Sequence, residues 1–119
     1  MGAGIALAFK QRYPKMFHDY RKICLAKQLS PGKLHFWQEG NETIINFPTK
    51  IDWKNPSEYE WIELGLESLS EYLRLRSKAK VTIPALGCGL GGLEWKIVKE
   101  MIKTHLGPLK ELTIYAFNP

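Results

Sequence analysis

Four glycines fall within seven residues in Gly87-Cys88-Gly89-Leu90-Gly91-Gly92-Leu93, after an apolar strand and before a helix. Backbone without side chains approaches a phosphate closely, and unpaired N–H groups at the start of the following helix supply donors. The chemistry this suggests is a diphosphate cradle; the plainer reading is a flexible strand–helix turn. The spacing matches neither the dinucleotide fingerprint nor the P-loop, since no Gly-Lys-Ser/Thr follows. A second run of small residues, Gly2-Ala3-Gly4-Ile5-Ala6, opens the first helix. A sugar or phosphate could lie on that backbone, or the run is a fraying terminus. Lys50 closes Asn46-Phe47-Pro48-Thr49-Lys50 at the end of a strand. Beside a phosphate site such a lysine is a charge partner or a nucleophile; most lysines are simply solvated. Trp53, Trp95 and Phe117 lie at or just after strand ends or glycine loops. They could stack on a base or serve as ordinary core and rim aromatics. Cys88 is a nucleophile by residue type, but no histidine is near it in sequence, and a small loop residue is its simpler role.

The elements that must hold these residues follow from periodicity. Residues 3–12 read as a helix ended before Pro14, and residues 15–27 as a second helix stopped by Ser30-Pro31-Gly32. Residues 33–38 read as a strand, Gly40-Asn41 as a turn, and the β-branched residues 43–47 as a buried strand. Asn55-Pro56-Ser57 opens a helix in which Ile62, Leu66, Leu69 and Leu73 form one stripe. Residues 81–86 make a strand running into the glycines. Residues 94–106 make a helix with Ile97, Val98, Met101, Ile102 and His105 on one face, stopped by Gly107-Pro108. Residues 112–117 make a last strand. The order ααββαβαβ indicates a three-layer α/β sandwich, with ligands beyond the carboxyl ends of the strands.

The chain of 119 residues is one small domain, 45% apolar and 24% charged, able to bury a core. No apolar run approaches the ~18 residues of a membrane span. Cys24 and Cys88 form no CxxC, so a reducing cytosol is the default. His18, His35 and His105 have no ligand spacing between them, which argues against zinc. Seventeen basic against twelve acidic residues give +5. That balance suits an anionic partner such as a nucleotide or nucleic acid, and equally suits a modestly basic soluble protein.

Together, the segments GAGIALAFKQRYP, INFPTK-x-x-W and PALGCGLGGLEW resemble a macrodomain, the ADP-ribose-binding fold, over essentially the whole chain and in family order. They look most like the DNA ADP-ribosyl glycohydrolase branch of toxin–antitoxin systems, the DarG antitoxins, which removes ADP-ribose from thymidine bases. They are also similar to the human terminal ADP-ribose protein glycohydrolase and to ADP-ribose-1″-phosphate phosphatases. The resemblance implies a single macrodomain over residues 1–119, a three-layer α/β/α sandwich with a mixed sheet.

Carried over by motif, Gly2, Ala3, Gly4, Ile5 and Ala6 would line the distal ribose and diphosphate. Gly87, Cys88, Gly89, Leu90, Gly91, Gly92 and Leu93 would form the second cradle. Pro48, Thr49 and Phe117 would also contact ADP-ribose, and Lys50 would be the catalytic residue, acting at the ribose C1″. The implied partners are ADP-ribose or ADP-ribosylated single-stranded DNA and a cognate ADP-ribosyltransferase toxin. The protein would be a cytoplasmic monomer without cofactor or metal.

Two departures stand out. The human relative carries an aspartate in the second loop where this chain has Gly91, which points to the DNA-acting branch. Family members also have two strands before Gly-Ala-Gly, whose turn supplies an aspartate for adenine. This chain is therefore expected to lack those strands, one of them central, between the strands at 43–47 and 81–86. The alternatives to hydrolysis are an ADP-ribose reader without turnover, a 1″-phosphate phosphatase, and a non-functional fragment of a macrodomain.

Overall fold

Proline at position 14 has no N–H to continue a helix and favours a first helical position, so the opening helical run divides there. In the computed structural model α1 spans Gly4–Arg12 and α2 spans Pro14–Leu25. The structure describes residues 4–25, 30–50, 55–76, 80–109 and 113–116. The chain forms two compact units, one of residues 1–29 with 35–46 and the other of residues 30–34 with 47–119.

In the first unit, β1 (His35–Glu39) and β2 (Glu42–Asn46) form an antiparallel hairpin around Gly40-Asn41, with Phe36 opposite Ile45 and Trp37 opposite Ile44. The alternation of side chains along β2 turns Ile44 inward, where it packs with Tyr13 and Met16. Phe9, Tyr20 and Trp37 cover this core. Polar groups tie the hairpin to the helices: Tyr13 donates to Glu42 at 3.0 Å, and the buried His35 bonds Asp19 through Nε2 at 2.7 Å. Asn46 Nδ2 lies 2.9 Å from His35 Nδ1, so both ring nitrogens have a partner.

In the second unit, α3 (Tyr59–Arg74) buries Ile62, Leu66, Leu69 and Leu73, the stripe its sequence spacing predicts. It also buries Gly65, which has no side chain because the Phe47 ring occupies that space. A β-carbon there would stand 2.5 and 2.8 Å from two of the ring atoms. β3 (Lys80–Ile83), α4 (Trp95–Leu106) and β4 (Thr113–Ala116) form a βαβ unit whose strands pair in parallel, Val81 beside Ile114 and Thr82 beside Tyr115. β3 stops at Ile83, three residues short of the expected end, because Pro84 cannot donate to a ladder.

The buried residues of α4 are Val98, Ile102 and Leu106. Val98 and Ile102 are buried as expected and Met101 and His105 half-buried, while Ile97, expected on the same face, is exposed and Leu106 is buried in addition. Gly107 has helical φ −56° rather than a left-handed cap; Pro108, lacking an N–H, accounts for the stop. Among the described residues the strands pair as two two-stranded sheets, β1–β2 and β3–β4.

Candidate functional site

The glycine segment leaves β3 and leads into α4, and its own backbone shapes it. Cys88 N–H donates to Ala85 C=O at 3.1 Å, Gly92 N–H to Gly89 C=O at 3.1 Å, and Leu93 N–H to Gly87 C=O at 3.0 Å. Gly87 at φ 71° and Gly92 at φ 79° occupy the left-handed region these turns require. The N–H groups of Gly89, Leu90 and Gly91, between the bonded ones, donate to no acceptor among the described residues. Three consecutive unspent donors on side-chain-poor backbone form a concavity suited to an anion. The carboxylate of Glu94, at the N-cap of α4, makes no capping bond.

The loop has an inner and an outer side. A β-carbon at Gly87 would meet Leu93, Ile62 and Ser57 within 3.3 Å. One at Gly91 would collide with the Gly87 carbonyl and stand 2.5 Å from Ser57 Oγ. Gly91 is buried, and its carbonyl accepts from Ser57 N–H at 3.0 Å. No side chain therefore has room at position 91. Gly89 and Gly92, by contrast, face open space.

Ser57 lies before α3 without capping it: the N-cap is Glu58, with no side-chain bond, and the Ser57 N–H is spent on Gly91. The Ser57 hydroxyl is buried with no partner among the described residues. Tyr59, in the first turn of α3, accepts through its hydroxyl from Glu94 N–H at 3.0 Å. The start of α3 is thus bonded to both ends of the Gly91–Glu94 segment.

Lys50 reaches the same loop. Phe47, its ring seated in the Gly65 slot, fixes the segment 47–50 against α3, and Lys50 Nζ donates to Leu90 C=O at 3.3 Å. The structure thereby brings together two motifs forty positions apart in sequence, the lysine of INFPTK and the glycine loop. Pro48, Thr49 and Lys50 are all half-buried. Cys88 donates through Sγ to Leu86 C=O at 3.4 Å, and burial pushes its thiol above the usual value. A half-buried thiol of raised pKa, bonded to backbone, is a packing residue rather than a nucleophile.

Gly4, Ile5 and Ala6 belong to the other unit, where they form the first turn of α1. Gly2, Ala3, Trp53 and Phe117 lie outside the described residues. An open depression of about 560 Å³ beside α3 and α4, lined by Glu63, Ile97, Met101 and Thr104 among others, includes neither Lys50 nor any residue from 87 to 93. The sequence reading missed Ser57, Tyr59 and the Phe47–Gly65 pair. A lone glycine inside the apolar stripe of α3 was the available signal for the last of these.

A βαβ unit carries a glycine loop whose N–H groups at 89–91 have no acceptor among the described residues, and a lysine rests on that loop, an α/β arrangement suited to an anion. The family model for the macro domain matches residues 1–102, and the chain belongs to the macrodomain family. More particularly, it is 38% identical over its whole length to a DNA ADP-ribosyl glycohydrolase of Mycobacterium tuberculosis, and spans 35% of that protein. It superposes on the macrodomain of Mycobacterium tuberculosis DarG with a TM-score of 0.95 at 38% identity, covering 100% of this chain and 81% of that one.

A Thermosipho africanus relative, a DNA ADP-ribosyl transferase–DNA ADP-ribosyl glycohydrolase fusion protein, is 33% identical over the whole chain, which spans 35% of it. The structure of Thermosipho africanus DarTG in complex with ADP-ribose matches at TM-score 0.81 and 33% identity, covering 98% of this chain and 34% of that one. The chain thus spans about a third of the length of the curated relatives it matches. Among the described residues no helix is long and apolar enough to cross a membrane.

Proposed function

We propose that the chain binds ADP-ribose and hydrolyses its bond to a DNA base, as an antitoxin-type glycohydrolase. The observation that carries this reading is the contact of Lys50 Nζ with the carbonyl of Leu90. It sets an amine at the mouth of a loop whose Gly89–Gly91 N–H groups suit the diphosphate. Pro48 and Thr49 lead the chain to that point, and Gly87–Leu93 supplies the cradle.

In the reaction the bond from ribose C1″ to the base nitrogen breaks. Water supplies a hydroxyl to C1″ and a proton to the base. Positive charge develops at C1″ as the bond lengthens. Lys50 acts there as nucleophile or as the group that orients water and leaving group, and the cradle holds the diphosphate while the base departs. The names of the relatives from Mycobacterium tuberculosis and Thermosipho africanus support DNA as the modified substrate. The fusion in the latter supports an ADP-ribosyltransferase as the enzyme whose product is consumed.

The test is a thermal-melt titration with ADP-ribose, followed by product analysis on ADP-ribosylated single-stranded DNA. Ligand that binds only the folded chain raises its melting temperature, by about 2.7 kcal/mol of stability at a hundred times Kd. A ligand-dependent shift with release of free ADP-ribose from the DNA is expected. A shift without release would make the chain a reader. Inorganic phosphate released from ADP-ribose-1″-phosphate, with the DNA left intact, would make it a phosphatase.

A further inference from the structure

We propose that the side chain of Leu90 is the surface on which the departing base packs, and so a specificity-determining residue for DNA over other ADP-ribosylated substrates. The inference rests on the glycohydrolase reading and adds to it a contact on the far side of the scissile bond.

The loop divides its own residues. Gly87 and Gly91 turn inward against Ser57, Ile62 and Leu93, where no β-carbon fits. Gly89 and Gly92, on either side of Leu90 and Gly91, have nothing within 4 Å of the place a β-carbon would take. Leu90 stands out of the loop between them, 84% exposed. The fold gains little packing from that side chain. A single exposed leucine is ordinary on a protein surface, but the place of this one is not arbitrary. Its own carbonyl holds Lys50 Nζ, so its side chain projects within one residue of the amine that works at C1″.

The anion-binding donors of the loop are the backbone N–H groups of residues 89–91. They account for the diphosphate side of the substrate. What remains beside Lys50, across the breaking bond, is the leaving group. A charged leaving group would gain nothing from a leucine. A pyrimidine carrying a methyl group gains apolar contact with an aliphatic side chain and covers the leucine as it does so. Flanked by glycines, Leu90 can follow a base that differs in tilt from one site to the next.

The experiment measures two dissociation constants for each protein in a Lys50→Ala background, where substrate is not consumed. The ligands are free ADP-ribose and a short single-stranded oligonucleotide carrying ADP-ribose on one thymine. Leu90→Ala and Leu90→Ser are compared with the unaltered leucine. Because the side chain is almost wholly in solvent, melting temperatures are expected within a degree or two of the parent.

The ratio of oligonucleotide affinity to ADP-ribose affinity is expected to fall about tenfold in both variants, the loss of one partly buried aliphatic contact. With Lys50 present, KM for the oligonucleotide rises in both variants. An unchanged ratio overturns the proposal. So does an equal loss for both ligands, which would place Leu90 on the ADP-ribose side. Failure of the Lys50-containing parent to release ADP-ribose from the oligonucleotide is read separately, and sinks the glycohydrolase reading on which the proposal stands.

Discussion

Replacing single glycines of the 87–93 loop by alanine should separate its two duties, because its glycines are glycine for different reasons. At Gly91 the new methyl would meet the Gly87 carbonyl oxygen, the Gly87 carbonyl carbon at 2.9 Å and Ser57 Oγ at 2.5 Å. Two of these are backbone atoms and cannot rotate away. Overpacking of this kind costs about 1–3 kcal/mol, and displacing the loop also weakens the Ser57 N–H to Gly91 C=O bond, about 1 kcal/mol more. A loss of about 3 kcal/mol lowers the melting temperature by roughly 10 °C in a domain of this size.

At Gly89 a methyl meets nothing, and φ there is not in the left-handed region. Gly89→Ala should therefore melt at the parent temperature or slightly above it, since alanine restricts the unfolded chain by about 0.4–1 kcal/mol. It should nevertheless bind ADP-ribose poorly, because the methyl stands where the diphosphate meets the backbone. Losing one or two charge-assisted bonds of about 1.5–3 kcal/mol each weakens Kd by at least about tenfold. Differential scanning fluorimetry and isothermal titration calorimetry on both variants give the four numbers needed. Normal ADP-ribose affinity in Gly89→Ala would refute the placement of the cradle. A parent-like melt of Gly91→Ala would refute the inner–outer division of the loop.

Three other outcomes follow from the same geometry. Phe47→Ala empties the slot over Gly65 and should cost about 2–4 kcal/mol in a urea melt; by freeing the segment that carries Lys50, it should also slow hydrolysis more than it weakens ADP-ribose binding. His35→Ala removes both the Asp19 and the Asn46 bonds and should cost about 2 kcal/mol in the same assay. Burial holds the Cys88 thiol above its ordinary value of 9.0, so near pH 8 less than about one-tenth of it is thiolate. Iodoacetamide followed by peptide mass spectrometry should label the exposed Cys24 first, with Cys88 labelling accelerating only as pH rises beyond 9.

Local pattern carried most of the elements. The stripe Ile62, Leu66, Leu69, Leu73 is a 3.6-residue period, and all four are buried in α3. In α4 the expected face was broader than the buried one: Val98 and Ile102 are inside, but Ile97 at its edge is exposed, and only packing decides where that edge falls. The end of β3 at Ile83 was legible in Pro84. The glycine loop and Lys50 were visible as motifs, but their contact was not, since a lysine amine and a carbonyl forty positions away share no periodicity. Ser57 reads as a helix opener by residue type; its use as the donor to Gly91 depends on where the loop returns, which no local rule supplies. Gly65 lowers the helix propensity of α3 and reads as a weakness until the Phe47 ring is seen to need the space.

The central claim is that Lys50, resting on the glycine loop, works at C1″ of an ADP-ribosyl group on DNA. Its most direct test is release of free ADP-ribose from an ADP-ribosylated thymidine oligonucleotide by the parent chain and by Lys50→Ala, with ADP-ribose binding measured on both. The account predicts steady release by the parent, release reduced at least about a hundredfold in Lys50→Ala, and ADP-ribose affinity in the variant within about tenfold of the parent. Release by Lys50→Ala at the parent rate would contradict it.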